Sequence, residues 1–288
     1  MTDSSGVDAG PAPHAGAAAR AESRANDHAP DLACTYDYGG AKARTFVQSG
    51  QAGSVSAWTA NSPLEPTGTF DLRRCQKINV ADIDRDGQND LVCVYNCGAS
   101  TTRTFVQRGS AAGLSAWTAV SDKFVGTFGP ERCAGIFAAD VDRDGFQDLV
   151  CPYNYGGSVM KTLLQKFNPA TQQFGNWISA SPSDSAFDLG RFRHMVVTKA
   201  DSDSTPDLLC VYDYGGQTRT LIQHGVGDGS FGRWDPWTKW DVGFDVNRCR
   251  LLANTPPTGT PLPNGTPSDY VCAYDDVGST RTFVQLAR

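Results

Sequence analysis

The stretch DLVCVYNCGASTTRTFVQ, Asp90 to Gln107, reads as an apolar strand, a Gly-bearing turn and a second strand. It returns as DLACTYDYGGAKARTFVQ from Asp31, DLVCPYNYGGSVMKTLLQ from Asp148, DLLCVYDYGGQTRTLIQ from Asp207 and DYVCAYDDVGSTRTFVQ from Asp269. The central tyrosines Tyr36, Tyr95, Tyr153, Tyr212 and Tyr274 are 59, 58, 59 and 62 residues apart by subtraction. That period is too long for helical solenoid units and long enough for a four-stranded blade with its loops. The expected fold class is all-β: a β-propeller, five-bladed, with four-stranded antiparallel blades.

The second repeat shows the layout. Strand 1 is expected over Cys75 to Asp82, strand 2 over Asp90 to Asn96, strand 3 over Thr102 to Gln107, and strand 4 around Trp117. Strand 2 is apolar on both faces, with Leu91, Cys93 and Tyr95 on one side and Val92 and Val94 on the other, as a blade held between two neighbours requires. Residues 1–22, rich in Ala, Gly, Pro and Ser without apolar periodicity, are expected to be a tail or linker, and 23–288 one propeller domain. A degenerate strand 1 for the first blade is expected within Ala19 to Asp27.

Composition narrows the partners. A formal net charge of -6 disfavours nucleic acid and anionic membrane, which need clustered Lys and Arg. No apolar run approaches the ~20 residues of a membrane-spanning helix, and the N-terminus lacks a secretory signal. The expected setting is nonetheless secreted or extracellular.

The connections between strands 1 and 2 carry the strongest chemistry. DIDRDGQND places Asp82, Asp84, Asp86 and Asp90 at positions 1, 3, 5 and 9, and DVDRDGFQD places Asp140, Asp142, Asp144 and Asp148 there. Alternate carboxylates around a tight Gly turn form an all-oxygen cage suited to Ca²⁺, with backbone carbonyls of Gln88 and Phe146 at position 7. Position 12 holds Cys93 or Cys151 where an EF-hand needs Glu, and strands flank the loop. The fourth copy, DSDSTPD from Asp201, is shorter and lacks the Gly, and the fifth has lost its acids. Two calcium sites are expected.

Loops of this kind, followed by Leu and an apolar strand at blade spacing, resemble the FG-GAP or VCBS repeats of integrin-α-like propellers. The resemblance covers roughly residues 31–288 and is specific at Asp82 and Asp140. It implies structural calcium that braces the hairpin. It also implies membership among adhesion modules, lectins and accessory domains.

The opposite rim collects a repeated polar and aromatic set. Its members are Tyr36 with Asp37, Tyr95 with Asn96, Tyr153 with Asn154, Tyr212 with Asp213 and Tyr274 with Asp275, approached by Arg74, Arg132, Arg193 and Arg248. Guanidinium, amide or carboxylate, aromatic face and Gly would hold sugar hydroxyls and a ring face. The alternative is that these residues are packing staples tying each turn. The tryptophans Trp58, Trp117, Trp177 and Trp237 are expected as strand 4 cover, and Arg44, Arg103, Arg219 and Arg281 as solvated strand positions, replaced by Lys161 in the third copy.

Counting outward from Asp82 and Asp90 pairs Cys75 with Cys97, which makes that pair the one plausible bridge and leaves the strand 2 cysteines as small buried apolar residues. His194 is read as standing where other repeats have Cys. No G-x-S-x-G, H-E-x-x-H or Walker loop is present. The expected function is a non-catalytic, multivalent, lectin-like propeller binding glycans or glycoconjugates, and not an enzyme. The alternatives are a protein-binding or accessory scaffold and, lower, a glycan-active enzyme.

Overall fold

The computed structural model describes residues 18–21, 31–51, 54–126, 128–201, 203–238, 245–255, 269–275 and 280–285, with the side chains of 18–21 and of the segments beyond Cys249 left aside. Among the described residues there is no α-helix, and none could cross a membrane as one.

Five consecutive antiparallel sheets follow the repeats. The first holds β1 (Ala18–Ala21), β2 (Asp31–Gly39), β3 (Lys42–Gln48) and, after a separate two-stranded hairpin of β4 (Gly50–Gln51) and β5 (Ser54–Val55), β6 (Thr59–Ala60). The second holds β7 (Cys75–Ala81), β8 (Asp90–Gly98), β9 (Thr101–Gln107), β10 (Thr118–Ala119) and β11 (Phe124–Val125). The third runs β12 (Phe137–Ala139), β13 (Asp148–Gly156), β14 (Val159–Asn168), β15 (Gln173–Ser179). The fourth runs β16 (Phe192–Thr198), β17 (Asp207–Asp213), β18 (Thr218–Gly225), β19 (Phe231–Pro236), and the fifth β20 (Cys249–Thr255), β21 (Asp269–Asp275), β22 (Thr280–Gln285). Strand 1 of one blade touches strand 1 of the next, β1 on β7, β7 on β12 and β12 on β16.

Register repeats from blade to blade. Ala21 faces Asp31, Ala81 faces Asp90, Ala139 faces Asp148 and Thr198 faces Asp207. The first blade's inner strand is therefore Ala18–Ala21, inside the stretch expected to be tail. The remainder of residues 1–22 lies outside the described residues.

Apolar side chains from both faces of each blade fill the gaps between blades. Val92 and Val94 of β8 pack with Leu149, Cys151 and Tyr153 of β13, while Leu91, Cys93 and Tyr95 pack with Ala33, Ala43 and Val47 of the first blade. Leu164 and Val150 meet Leu208, Cys210 and Tyr212 across the next gap. Trp117 stacks on Phe70 at 4.6 Å and Trp177 on Phe128 at 4.6 Å. In the fourth blade Trp234, not Trp237, takes this place, because Trp234 faces Gln223 as Trp177 faces Gln165. Arg44, Arg103 and Arg219 are not simply solvated: each Nε donates to the carbonyl of Ser62, Ser121 or Thr238 after strand 4.

The cysteine expectation is corrected. A bulge between Cys75 and Ile78 sets Cys75 opposite Tyr95, so Cys97 is out of reach and stays free. Cys75 bonds Cys93 (Cα–Cα 5.8 Å) and Cys133 bonds Cys151 (Cα–Cα 5.5 Å). Cys249 is also disulfide-bonded. In the fourth blade Phe192 faces Tyr212 at the cysteine's register position, so Phe192 rather than His194 replaces it, and buried Cys210 is left without a bridge.

Candidate functional site

The two Asp loops turn at the same place. Arg85 and Gly87 have φ of 63° and 81°, and Arg143 and Gly145 have 62° and 90°, the left-handed pair that lets three alternate carboxylates face inward. Asp82, Asp84 and Asp86 bring oxygens within 4.8 Å of one another, as do Asp140, Asp142 and Asp144. Loop N–H groups hold them: Gly87 donates to Asp82 (3.0 Å), Gly145 to Asp140 (3.0 Å), Gln88 to Asp86 (2.7 Å) and Phe146 to Asp144 (2.8 Å).

The residue at position 9 has a second duty. Asp90 accepts from Gly109 N (2.7 Å), Asp148 from Phe167 N (2.9 Å), Asp207 from Gly225 N (3.0 Å) and Asp31 from Gly50 N (2.9 Å). This clamp on the end of strand 3 or the residues just after it explains why position 9 stays acidic even in the first and fourth blades, which lack the full loop. Burial pushes Asp90 up to about 6 against the Gly109 N–H and Arg108, and Asp148 up to about 7 against the Phe167 N–H.

A hard cation fits these residues. In the third blade, buried Oδ1 of Asp140 and Oδ2 of Asp148 have no hydrogen-bond partner among the described residues. Leaving buried carboxylate oxygens unpaired costs on the order of a few kcal/mol each, and an oxygen-coordinated Ca²⁺ would satisfy them. Sequence reasoning missed a basic residue at the end of strand 3, just after β9 in the second blade and within β14 and β18 in the third and fourth, that reaches the Asp loop. Arg108 meets Asp84 at 2.9 Å, Lys166 meets Asp142 at 2.5 Å, and His224 meets Asp201 at 3.1 Å in the fourth blade. The signal was the residue after the T-x-x-Q phrase: Arg, Lys and His in three successive copies.

The structure places the rim tyrosines in the core. Tyr95, Tyr153 and Tyr212 are 9%, 1% and 3% exposed. Their hydroxyls accept from the N–H of Asp71 (3.4 Å), Gly129 (3.1 Å) and Asp188 (3.0 Å), tying the incoming connection to strand 2. They act as the packing staples of the alternative reading, and offer no face to a ligand. Tyr36 is half-buried against Tyr38. The side chains of Tyr274 and Asp275 lie outside the described residues. Asp37, Asn96, Asn154 and Asp213 each accept from the N–H of the Gly two residues on, at 2.7 to 2.8 Å.

The arginines diverge from blade to blade. Arg74 only approaches Asp71, at 4.0 Å, and Arg248 sits at the end of a short 3-10 turn. Arg193 pairs with Asp213 at 2.8 Å, and Asn247 of the next blade adds a 3.0 Å bond to the same carboxylate. These donors hold the Asp213 carboxyl down to about 2, the Asn247 amide first, then the Gly215 N–H and Arg193. Between the first two blades Arg73 reaches Asp37 at 3.5 Å. Gly190 occupies the position of Arg73 and Asn247 in the turn that enters the fourth blade, so nothing covers Asn154 in this way. A cleft of about 330 Å³ opens there, lined by Glu131, Arg132, Asn154, Gly156 and Gly190. The Arg132 guanidinium lies over the Tyr153 ring at 5.0 Å. The structure thus brings Arg132 and Asn154 together at one place and closes the equivalent place at Asp37 and Asp213.

Residues 82–151, which include both Asp loops, match the model of the FG-GAP-like repeat. No curated protein matches the chain. Among solved structures it is similar to 1,3Gal43A, an exo-β-1,3-galactanase from Clostridium thermocellum, with 11% identity and a TM-score of 0.45 over 94% of this chain and 66% of that one. It is also similar to a glycoside hydrolase family 43 arabinoxylan arabinofuranohydrolase from Bacillus subtilis in complex with cellotetraose, with 13% identity and a TM-score of 0.40 over 77% of this chain and 52% of that one. The chain spans between half and two thirds of these structures' lengths. Both of those proteins are enzymes by description, so the expectations of a non-catalytic lectin and of a chain that is not an enzyme are withdrawn, and the likeness assigns no activity to this chain. The burial of the tyrosines separately removes the repeated multivalent rim.

Proposed function

We propose that this chain is a calcium-braced, five-bladed propeller that engages a glycan at one notch on its rim, between the third and fourth blades. The observation that carries the reading is the cleft over Asn154, which Gly190 leaves open where Arg73 and Asn247 fill the equivalent places. Glu131 accepts hydrogen bonds, Arg132 donates them and Asn154 does both, which is the mix that vicinal hydroxyls require. About 330 Å³ is at the small end for a ligand pocket, so one sugar residue rather than a long segment is the expected occupant. Calcium at Asp140–Asp148 stiffens the opposite end of the third blade, which carries Arg132 and Asn154, and calcium at Asp82–Asp90 stiffens its neighbour, the second blade. The disulfides fit an oxidising, extracellular setting.

Titration of mono- and oligosaccharides into the wild-type protein and Gly190→Asn tests this. The three atoms nearest a Cβ at Gly190 all belong to the Asp188 side chain that caps the turn, the nearest at 3.2 Å, so a shift of a few tenths of an ångström by that carboxylate lets the variant fold and close the notch as Asn247 does. Wild type should bind one ligand weakly, in the high micromolar to millimolar range expected of a few hydrogen bonds. Gly190→Asn should not bind. Incubation of the same samples with β-1,3-galactan and arabinoxylan reports whether engagement leads to cleavage. A wild-type protein that neither binds nor cleaves any glycan would overturn the reading.

A further inference from the structure

The two Asp loops are nearly identical in sequence, DIDRDGQND and DVDRDGFQD, yet their oxygens are not equally occupied. We infer that Arg108 serves as a resident cation of the second blade's loop, so that calcium fills the third blade's loop first and the second blade's loop only weakly. This rests on the calcium reading above.

Arg108 is pinned inside its loop. Its Nη1 lies 2.9 Å from Oδ2 of Asp84 and 3.3 Å from Oδ2 of Asp90, so one nitrogen bridges positions 3 and 9. Its Nη2 donates to Gln172 of the third blade at 3.3 Å, and the guanidinium lies 5.9 Å from the Phe167 ring centroid. A group held from four sides keeps its place at little further entropy cost, and a guanidinium stays charged at every accessible pH. Lys166, at the same position one blade on, makes one ion pair, at 2.5 Å to Oδ2 of Asp142, and its side chain is 43% exposed against 25% for Arg108. An ammonium on a flexible stem can swing into water when a divalent ion arrives.

The carboxylates agree with this ranking. In the second blade both Asp82 oxygens accept N–H bonds, from Asp86 at 3.1 Å and Gly87 at 3.0 Å. Oδ2 of Asp90 accepts from Ile83 N at 3.2 Å as well as from Arg108. In the third blade Oδ1 of Asp140 and Oδ2 of Asp148, the equivalent pair of residues, are buried and unpartnered, and no oxygen of Asp82, Asp84, Asp86 or Asp90 is. A cation entering the third blade's loop displaces little. One entering the second blade's loop must compete with a fixed positive charge on two of its ligands.

Calorimetric titration of the metal-free full chain with CaCl₂ tests this with wild type, Asp142→Ala, Asp84→Ala and Arg108→Gln. Wild type should show a tight and a weak event at least about tenfold apart, the scale of one nearby unit charge in a partly solvated site. Asp142→Ala should remove the tight event and Asp84→Ala the weak one. Arg108→Gln should strengthen the weak event about tenfold or more and leave the tight one unmoved. Two equal events in wild type, loss of the tight event in Asp84→Ala, or unchanged affinities in a folded Arg108→Gln would each overturn the inference while the calcium reading stands. If Arg108→Gln does not fold, the two Asp variants still rank the sites. No calcium uptake by wild type would bring down both.

Discussion

The Thr104 hydroxyl donates a 2.6 Å hydrogen bond to Oε1 of Gln165 in the next blade, with both side chains buried. Thr45 reaches Gln107 at 2.6 Å and Thr162 reaches Gln223 at 2.5 Å in the same way. The second and third blades thus each donate with the Thr and accept with the Gln of one T-x-x-Q phrase, and the first four blades are held in register by a polar bond inside each apolar gap. A buried acceptor is costly to leave unmade, so this contact selects one packing of blade on blade.

Thr104→Val keeps the shape and removes the donor, leaving Oε1 of Gln165 unsatisfied. The expected loss is about 1–3 kcal/mol in denaturant unfolding. Pairing it with Gln165→Leu should cost less than the sum of the single changes, since the two groups act on each other. Strict additivity would show that the bond contributes nothing.

The disulfides give a second expectation. Cys75–Cys93 and Cys133–Cys151 each span 18 residues. Loop closure of that size is worth roughly 3 kcal/mol in the unfolded chain. Cys133→Ala with Cys151→Ala should lower stability by about 2–4 kcal/mol, while Cys97→Ala should be close to neutral. Peptide mapping without reduction should recover the two bridges, and a recovered Cys75–Cys97 peptide would contradict the register.

Period, strand order and the two-faced character of strand 2 were legible because each repeat wrote them again, so that Val92 and Leu91 could be assigned to opposite gaps from alternation alone. The Asp loops were legible for the same reason. What repetition could not distinguish was scaffold from site: Tyr153 recurs because its hydroxyl ties Gly129, and a packing staple repeats as faithfully as a binding residue. The cysteine pairing failed on two one-residue shifts: Ala81 rather than Asp82 faces Asp90, and an extra residue between Cys75 and Ile78, which leaves no mark in the spacing, moves Cys75 one further place to the register of Tyr95 and within reach of Cys93. The notch was hidden because its cause is a missing side chain, Gly190, in a turn where glycine looks unremarkable.

Removal of metal is the third expectation. If calcium braces the hairpins, chelation should lower the melting temperature, and calcium at 100 times its Kd should restore about 2.7 kcal/mol per site. Asp84→Ala combined with Asp142→Ala should melt at one temperature with or without chelator. A wild-type melting curve indifferent to calcium would count against the brace.

The last expectation concerns acid. Asp213 is held to about 2 by Asn247, the Gly215 N–H and Arg193, below its ordinary value near 3.9. A carboxyl lowered in the folded state contributes stability that is fully present above its unfolded value and is lost as pH falls through the folded one. The contribution should therefore be complete above about pH 4 and disappear between about pH 4 and 2. Many carboxylates titrate in that window, so the informative quantity is the difference between wild type and Asp213→Asn, measured by urea unfolding at several pH values. That difference should be constant from pH 7 to 5 and shrink toward pH 2. Because the Arg193 side chain is 38% exposed, added salt should reduce the difference at neutral pH through screening. The bond from Asn247 crosses from the fifth blade to the fourth, so the same acid range should loosen that interface first, visible as faster amide exchange in β17 than in β13. A wild-type minus Asp213→Asn difference that does not change between pH 5 and 2 would show that Asp213 holds nothing across this gap.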